Sequence, residues 1–284
     1  MASIYIRAPD HLGDGVMALP AIAALLSMGP ADIEGPAWTQ ALYGTRSTQT
    51  PRAETAVLFK PSFSAAWRAR RCRRRIGIRW DLRGPLLTDP VPLSNGHRVA
   101  QYAAIAAAAG ATAHGMPSYT ATATGPEIPD DAVVLLPLTK STQTVAWRGF
   151  RALADALNGR AVFAAGPGED ARLAKIAGPH RMLPALDLPA FAGTVCNARF
   201  VVGNDSGLSH LAAAAVRGAE QSPAKVHVIY GSTDPARTGP PGTTAHHIAP
   251  LSCWPCYKKR CSVDNVAPCR EIPVADVVRA MESM

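Results

Sequence analysis

Val201-Val202-Gly203-Asn204-Asp205-Ser206-Gly207-Leu208-Ser209-His210-Leu211 passes from an apolar run through polar and glycine residues into a helix-forming segment. It reads as a buried strand, a sharp turn and the start of a helix. A helix N-terminus carries unpaired N–H groups and a partial positive charge, which makes this turn an anion seat, and Gly207 lets a phosphate approach the backbone closely. Asp205 repels phosphate and suits hydroxyl donors such as those of a sugar. His210, one turn in, is placed to face the same ligand. Helix capping by Asp205 or Ser206, with His210 a core residue, accounts for the same letters.

The unit repeats along the chain. Ile4 to Arg7 is β-prone, followed by Pro9-Asp10-His11-Leu12-Gly13-Asp14-Gly15 and a helical stretch from Val16 to Ser27. Further strands are expected at Val133 to Leu138, Ala161 to Ala165, Phe200 to Val202 and Val226 to Ile229, and helices at Arg148 to Leu157, Glu169 to Ile176 and Leu208 to Val216. Continuous apolar strands alternating with helices predict an α/β protein with parallel sheets. Thr112 to Asp131, rich in Ala, Thr, Pro and Gly, reads as a linker. The expected lobes are residues 1–122 and 126–270, with a closing C-terminal helix over 273–284.

The chain has 284 residues, 48% hydrophobic and 18% charged, which fits two domains at about 150 residues each and excludes disordered and fibrous classes. The longest apolar stretches fall well short of the ~18 residues of a spanning helix. Asp10 and Asp14 interrupt the N-terminus before a signal-peptide core forms, so a cytoplasmic protein is expected. The net charge is +8, and six of the eight residues from Arg68 to Arg75 are arginine. This run predicts an acidic partner, such as phosphorylated sugar, anionic lipid or nucleic acid, or else a solvated basic helix face. Six cysteines in a reducing compartment point to metal more than to disulfides. Cys253-x2-Cys256-x4-Cys261-x7-Cys269 has the spacing of a structural four-thiolate zinc or iron site, with plain thiols or disulfides as the alternative.

Leu12-Gly13-Asp14-Gly15 falls at the first strand-to-helix turn, where open α/β sheets place ligands. A carboxylate there is a candidate general base; a helix cap is the plainer reading. The three-glycine dinucleotide fingerprint is absent. Gly231-Ser232-Thr233-Asp234-Pro235-Ala236-Arg237-Thr238-Gly239-Pro240 follows a strand and is rich in turn formers.

Taken in order, Ile4 to Leu25, Arg75-Ile76-Gly77, Arg83 to Thr88, His97 to Tyr102, Gly203 to Leu211 and Tyr230 to Pro240 closely resemble the ADP-heptose:lipopolysaccharide heptosyltransferases of glycosyltransferase family 9. The resemblance implies a GT-B architecture, two Rossmann-like lobes with parallel sheets facing a central cleft, and metal-independent, inverting transfer from ADP-heptose. Asp14 matches the family's catalytic base. Asp205 matches the acid that holds the donor sugar, and Ser206 and Gly207 the diphosphate turn. Gly13, Glu169, His210, Thr233 and Asp234 are expected as further donor contacts, Glu169 at the adenosine ribose, with Arg237 structural. The family's usual lysine two residues before a tryptophan is here Val145, which leaves Lys140 or Arg148 as the substitute, or a changed donor.

Acceptor contacts are expected from Arg75, Arg79, Arg83 and His97, since the family's first lobe holds an anionic lipopolysaccharide core, and peripheral contact with the inner face of the inner membrane is compatible with the arginine run. No cofactor is expected for catalysis. Relatives that modify autotransporter proteins carry similar cysteine clusters with iron, so a protein O-heptosyltransferase, or a transferase using another nucleotide sugar, is the nearest alternative. A catalytically degenerate donor-binding protein and a basic nucleic-acid-binding protein are the remaining ones, and no nucleic-acid partner is expected.

Overall fold

Strands that are apolar on both faces must be covered on both sides, and this requirement organises the chain twice. The computed structural model describes residues 4–47, 53–139, 146–248, 251–258, 260–263 and 267–283. They fall into two units, Met1–Pro117 and Ser118–Met284, whose boundary lies inside the irregular Ala-, Thr- and Pro-rich stretch.

The first unit runs β1 (Ile4–Arg7), α1 (Leu12–Met17), α2 (Leu19–Ser27), β2 (Ala31–Glu34), α3 (Trp38–Tyr43), β3 (Thr55–Leu58), α4 (Phe63–Arg68), β4 (Arg74–Ile78), β5 (Asp89–Val91) and α5 (Arg98–Ala108). Its sheet is parallel in the order β2-β1-β3-β4-β5. Residues at period two divide between its faces. Ile4, Ile6, Val57, Ile76 and Ile78 pack with Ile22, Leu25, Tyr102 and Ile105 from α2 and α5. Tyr5, Ala56 and Leu58 pack on the other side with Ala66, Ala69 and Cys72. The chain order reverses between β1 and β3, and a crevice opens at the carboxyl ends of strands at such a reversal.

The single helix expected from Val16 to Ser27 is broken. Ala18 closes α1 and opens α2, because Pro20 in the first turn of α2 has no N–H to donate and its ring crowds the preceding turn. The arginine run is not one helix face either. It crosses the end of α4 and a 3-10 turn at Ala69–Arg71 and then enters β4, the strand beside β3.

The second unit runs β6 (Val133–Leu136), α6 (Phe150–Ala156), β7 (Ala161–Phe163), α7 (Asp170–Ala177), β8 (Arg181–Met182), α8 (Leu188–Val195), β9 (Phe200–Asn204), α9 (Gly207–Gly218), β10 (Lys225–Ile229), α10 (Pro235–Thr238), β11 (Thr244–His246) and α11 (Val274–Glu282). The parallel order β11-β10-β9-β6-β7-β8 is that of a Rossmann sheet, with its reversal between β6 and β9. Every residue of β6 and β9 is buried. Leu135, Phe163 and Val202 pack with Trp147, Phe150 and Leu153, and α11 adds Val277 and Met281 to the same core.

Candidate active site

In the second unit the strand-to-helix turn after β9 lies at the Rossmann reversal. Gly203 is required there: a Cβ would collide with Ser209 Oγ and come within 3.1 Å of Leu136 Cβ. Asn204 locks the turn in place. Its Oδ1 accepts from Trp147 N at 2.8 Å and its Nδ2 donates to Pro137 O at 2.6 Å, which ties the ends of β9 and β6 together. Asn204 was not singled out in the sequence, although a buried polar residue at a strand end is the available signal. Ser206 occupies the N-cap position in an extended conformation, and its side chain makes no capping bond. The leading N–H groups of α9 are therefore not satisfied by that residue, which leaves the helix start chemically suited to an anion.

Asp205 follows directly and is not a cap. Its Oδ2 accepts from Thr233 Oγ1 at 2.7 Å, and His210 Nε2 lies 3.5 Å from Oδ1. His210 is buried, and its Nδ1 has no hydrogen-bond partner among the described residues. The buried Tyr230 hydroxyl titrates far above its usual range because of burial and, second, the Asp205 charge. The structure thus gathers Asp205, His210 and Thr233 beside Ser206 and Gly207.

Asp234 does something else. Its Oδ1 accepts from Ala236 N at 2.8 Å and caps α10, so the carboxylate expected at the donor serves the local turn. Glu169 lies after β7, where Gly168 turns at φ +77°. Its two oxygens accept from Gly166 N at 3.2 Å and Arg172 Nη1 at 3.1 Å. One strand, β6, separates β7 from β9, so at ~4.8 Å per strand the two turns stand about 10 Å apart along the sheet edge. Lys140 and Val145 lie outside the described residues.

In the first unit Asp14 sits in the first turn of α1, with Gly13 beside it. Asp14 Oδ1 accepts from Tyr102 OH at 2.8 Å, and Arg98 Nε is 3.9 Å away. No described residue donates to Oδ2. Tyr102 and Tyr43 titrate well above the usual phenol range, first by burial and then by the Asp14 charge, so both are neutral donors. Tyr43 OH donates to Gly15 O at 2.8 Å, and any Cβ at Gly15 would strike the Trp38 ring, which fixes the helix start against α3.

Sequence reasoning missed the ionic lattice over the carboxyl ends of β1, β2 and β3. Asp10 pairs with Arg7 at 2.6 Å and Lys60 at 2.7 Å, while Glu34 takes Arg68 at 2.9 Å and the Tyr5 hydroxyl at 2.6 Å. Burial acts to raise the Asp10 carboxyl, but the bonds from Lys60 and Arg7 outweigh it and hold it below its usual value. All these residues lie at or just beyond strand ends, except Tyr5, on β1, and Arg68, the last residue of α4.

The expected acceptor residues are not equivalent. Arg83 is fully buried, donating to Ile78 O at 2.8 Å and Lys60 O at 2.7 Å, and burial lowers its pKa to about 10. That placement corrects its reading as a ligand contact: it braces the ends of β3 and β4. Arg75 is half-buried and donates to Leu86 O and Cys72 O, each at 2.6 Å. His97 caps α5 through Nδ1, which accepts from Val99 N at 3.2 Å. Arg79 is exposed.

The four cysteines of the expected thiolate site lie in the C-terminal part of the second unit. Cys253, Cys256, Cys261 and Cys269 form no disulfide, and among the described residues no three His, Cys, Asp or Glu side chains are arranged to hold a metal ion. Cys253 is exposed while Cys269 is buried on a 3-10 turn, so the thiols occupy unlike environments. Burial and, second, the neighbouring thiols raise the Cys269 thiol. No helix among the described residues is long and apolar enough to cross a membrane.

Two parallel α/β units, each with polar side chains at the reversal of its sheet, define an enzyme of the GT-B fold. The chain belongs to glycosyltransferase family 9 (heptosyltransferase), which residues 50–267 match, and it is a glycosyltransferase. Asp205, His210 and Thr233 fall inside that span and Asp14 before it. E. coli ADP-heptose LPS heptosyltransferase II is similar in structure, with a TM-score of 0.71, 17% identity, and 99% of this chain and 100% of that chain covered. E. coli heptosyltransferase WaaC with ADP-2-deoxy-2-fluoro heptose gives a TM-score of 0.65 at 17% identity, covering 99% of each chain. The iron-containing dodecameric glycosyltransferase TibC from enterotoxigenic E. coli gives 0.64 at 16% identity, covering 99% of this chain and 76% of that one. No curated protein matches the sequence.

Proposed function

We propose that the protein transfers heptose from ADP-heptose to a hydroxyl of an anionic lipopolysaccharide core by a single inverting displacement, with Asp14 as general base. The observation that carries the donor half is the Asp205, His210 and Thr233 cluster beside an uncapped helix start at a Rossmann reversal. The likeness to WaaC with an ADP-heptose analogue supports the same donor.

In this reading Asp205 accepts hydroxyl hydrogen bonds from the sugar. The N–H groups at the start of α9 hold the diphosphate and stabilise the charge that develops as ADP leaves. Tyr102 holds Oδ1 of Asp14, and Oδ2 takes the proton from the acceptor hydroxyl as its oxygen bonds to the anomeric carbon. The bond from that carbon to the phosphate oxygen breaks, the configuration inverts, and no metal is needed. Glu169 receives the adenosine ribose, and Arg79 is the exposed acceptor-side cation. Transfer to a protein hydroxyl shares every residue named and differs only in acceptor; the likeness to TibC is what favours it.

Thermal stabilisation tests the donor, because a ligand bound only to the folded state adds RT ln(1 + [L]/Kd) to its stability. ADP and ADP-heptose should raise the melting temperature and UDP and GDP should not. Equal or greater stabilisation by UDP or GDP contradicts the donor assignment.

A further inference from the structure

Thr233 meets Asp205 from the turn after β10, so its aim depends on where the backbone of that turn lies. The sheet holds the start of the turn, where Tyr230 N donates to His246 O at 2.8 Å. The next two residues are held by residues 251–258, a stretch of the cysteine-rich tail that no step of the proposed reaction uses. Trp254 Nε1 donates to Gly231 O at 3.0 Å, Tyr257 N donates to Ser232 O at 3.0 Å, and Ser232 Oγ donates to Lys258 O at 3.4 Å. Gly231 and Ser232 are buried, where a carbonyl that loses its donor is costly. This strap is itself set in place. Trp254 N donates to Leu251 O at 3.0 Å, and the His247 ring stacks on the indole at 5.0 Å with the planes 4° apart. Tyr257 stands at φ +53°, in the left-handed region that a tyrosine keeps only where its surroundings hold it, and the Arg237 guanidinium lies 5.7 Å from its ring centre.

We propose that Trp254 is a positioning residue for recognition of the donor sugar: its indole N–H fixes Gly231, and the strap thereby sets Thr233 and, through it, the Asp205 carboxylate. The proposal rests on the reading of Asp205 as the acceptor of sugar hydroxyls. It adds that the tail contributes to the site through residues standing between its cysteines. The two halves of the donor should feel the strap differently. Trp254 and Tyr257 bond to the turn after β10, whereas the N–H groups assigned to the diphosphate open α9, after β9. Loosening the strap therefore disturbs the hydrogen bond from Thr233 to Asp205 and leaves the phosphate seat standing.

The test is calorimetric titration of the full-length protein with ADP-heptose and with ADP, for wild type, Trp254→Phe, Thr233→Val and the double variant. Trp254→Phe keeps an aromatic ring beside His247 and removes the N–H. It should weaken ADP-heptose binding about five-fold, the size of one lost hydrogen bond, and leave ADP affinity unchanged. In the Thr233→Val background the same change should cost less than about two-fold, because both substitutions act through one bond to Asp205. An unchanged near-UV circular dichroism shows that each variant is folded; if Trp254→Phe fails this control, Ser232→Ala, which removes another strap bond, takes its place. Unchanged ADP-heptose affinity in the folded variant, an equal loss for ADP, or full additivity with Thr233→Val overturns the proposal. Absence of ADP-heptose binding by the wild type refutes the donor assignment instead. The strap is then decided by amide hydrogen exchange of the ligand-free protein, where Trp254→Phe should speed exchange at Thr233 and Asp205 and not in the first unit; unchanged exchange at both overturns it.

Discussion

Acidification from pH 7.5 to pH 5 should destabilise the second unit through His227. This side chain is buried on β10, its Nδ1 is 2.9 Å from His246 Nε2, and its Nε2 has no partner among the described residues. Phe200 covers it edge-on at 5.6 Å and the His246 ring stacks at 5.2 Å. Burial first, and then the neighbouring His246, lower its pKa from 6.5 to about 4. His246 is itself lowered by burial, with Asp276 opposing and His247 adding to the effect. Because the folded pKa of His227 lies below the unfolded one, the unfolded chain binds the proton that the folded chain refuses. The stability is complete above pH 6.5 and falls as the pH drops toward 4. At pH 5 the loss from a shift of this size is about 2 kcal/mol, or about 4–8 °C in melting temperature for a unit of this size. Calorimetry of wild type and His227→Gln at both pH values measures it. The variant keeps a donor for His246 but cannot titrate, so its drop between pH 7.5 and pH 5 should be smaller by that amount. An equal drop in both proteins would refute the reasoning.

Asp205→Asn should weaken ADP-heptose binding by about ten-fold or more, the cost of losing a charged hydrogen-bond acceptor, and leave ADP affinity nearly unchanged; calorimetric titration with both ligands checks this, and equal loss for ADP contradicts the sugar assignment. Tyr102→Phe removes the donor to Asp14 Oδ1 and should lower kcat about ten-fold with the donor KM and melting temperature little changed, which steady-state kinetics would show. Gly203→Ala must displace Ser209 Oγ and should cost about 1–3 kcal/mol, read as a lower melting temperature with weaker ADP binding.

Strand β6 and the Phe200–Val202 part of β9 were legible because two-sided burial makes them continuous apolar runs, and β10 because Val226, Val228 and Ile229 carry it past His227. Strand β2 was not, since it lies at the sheet edge and buries only Ile33. Strand β4 was hidden because Arg74 and Arg75 open it and only Ile76 and Ile78 mark the strand period. Asp14 and Asp205 stood out as polar residues just beyond apolar strands, yet that signal does not separate a site from a cap: Asp234 looks the same and caps α10. The partner that orients Asp14 lies 88 residues away on α5, a contact that no local pattern contains. The cysteine spacing was readable, and Cys253, Cys256 and Cys261 do lie near enough to Cys269 to raise its thiol, but spacing does not tell the buried thiol from the more exposed ones.

The most direct measurement is product formation from ADP-heptose and a lipopolysaccharide core acceptor by wild type and Asp14→Asn, with ADP binding measured on the same samples. The account predicts turnover by the wild type, a loss of at least about a hundred-fold in the variant, as expected when a general base is removed, and equal ADP affinity in both. Near-normal turnover by Asp14→Asn would contradict it.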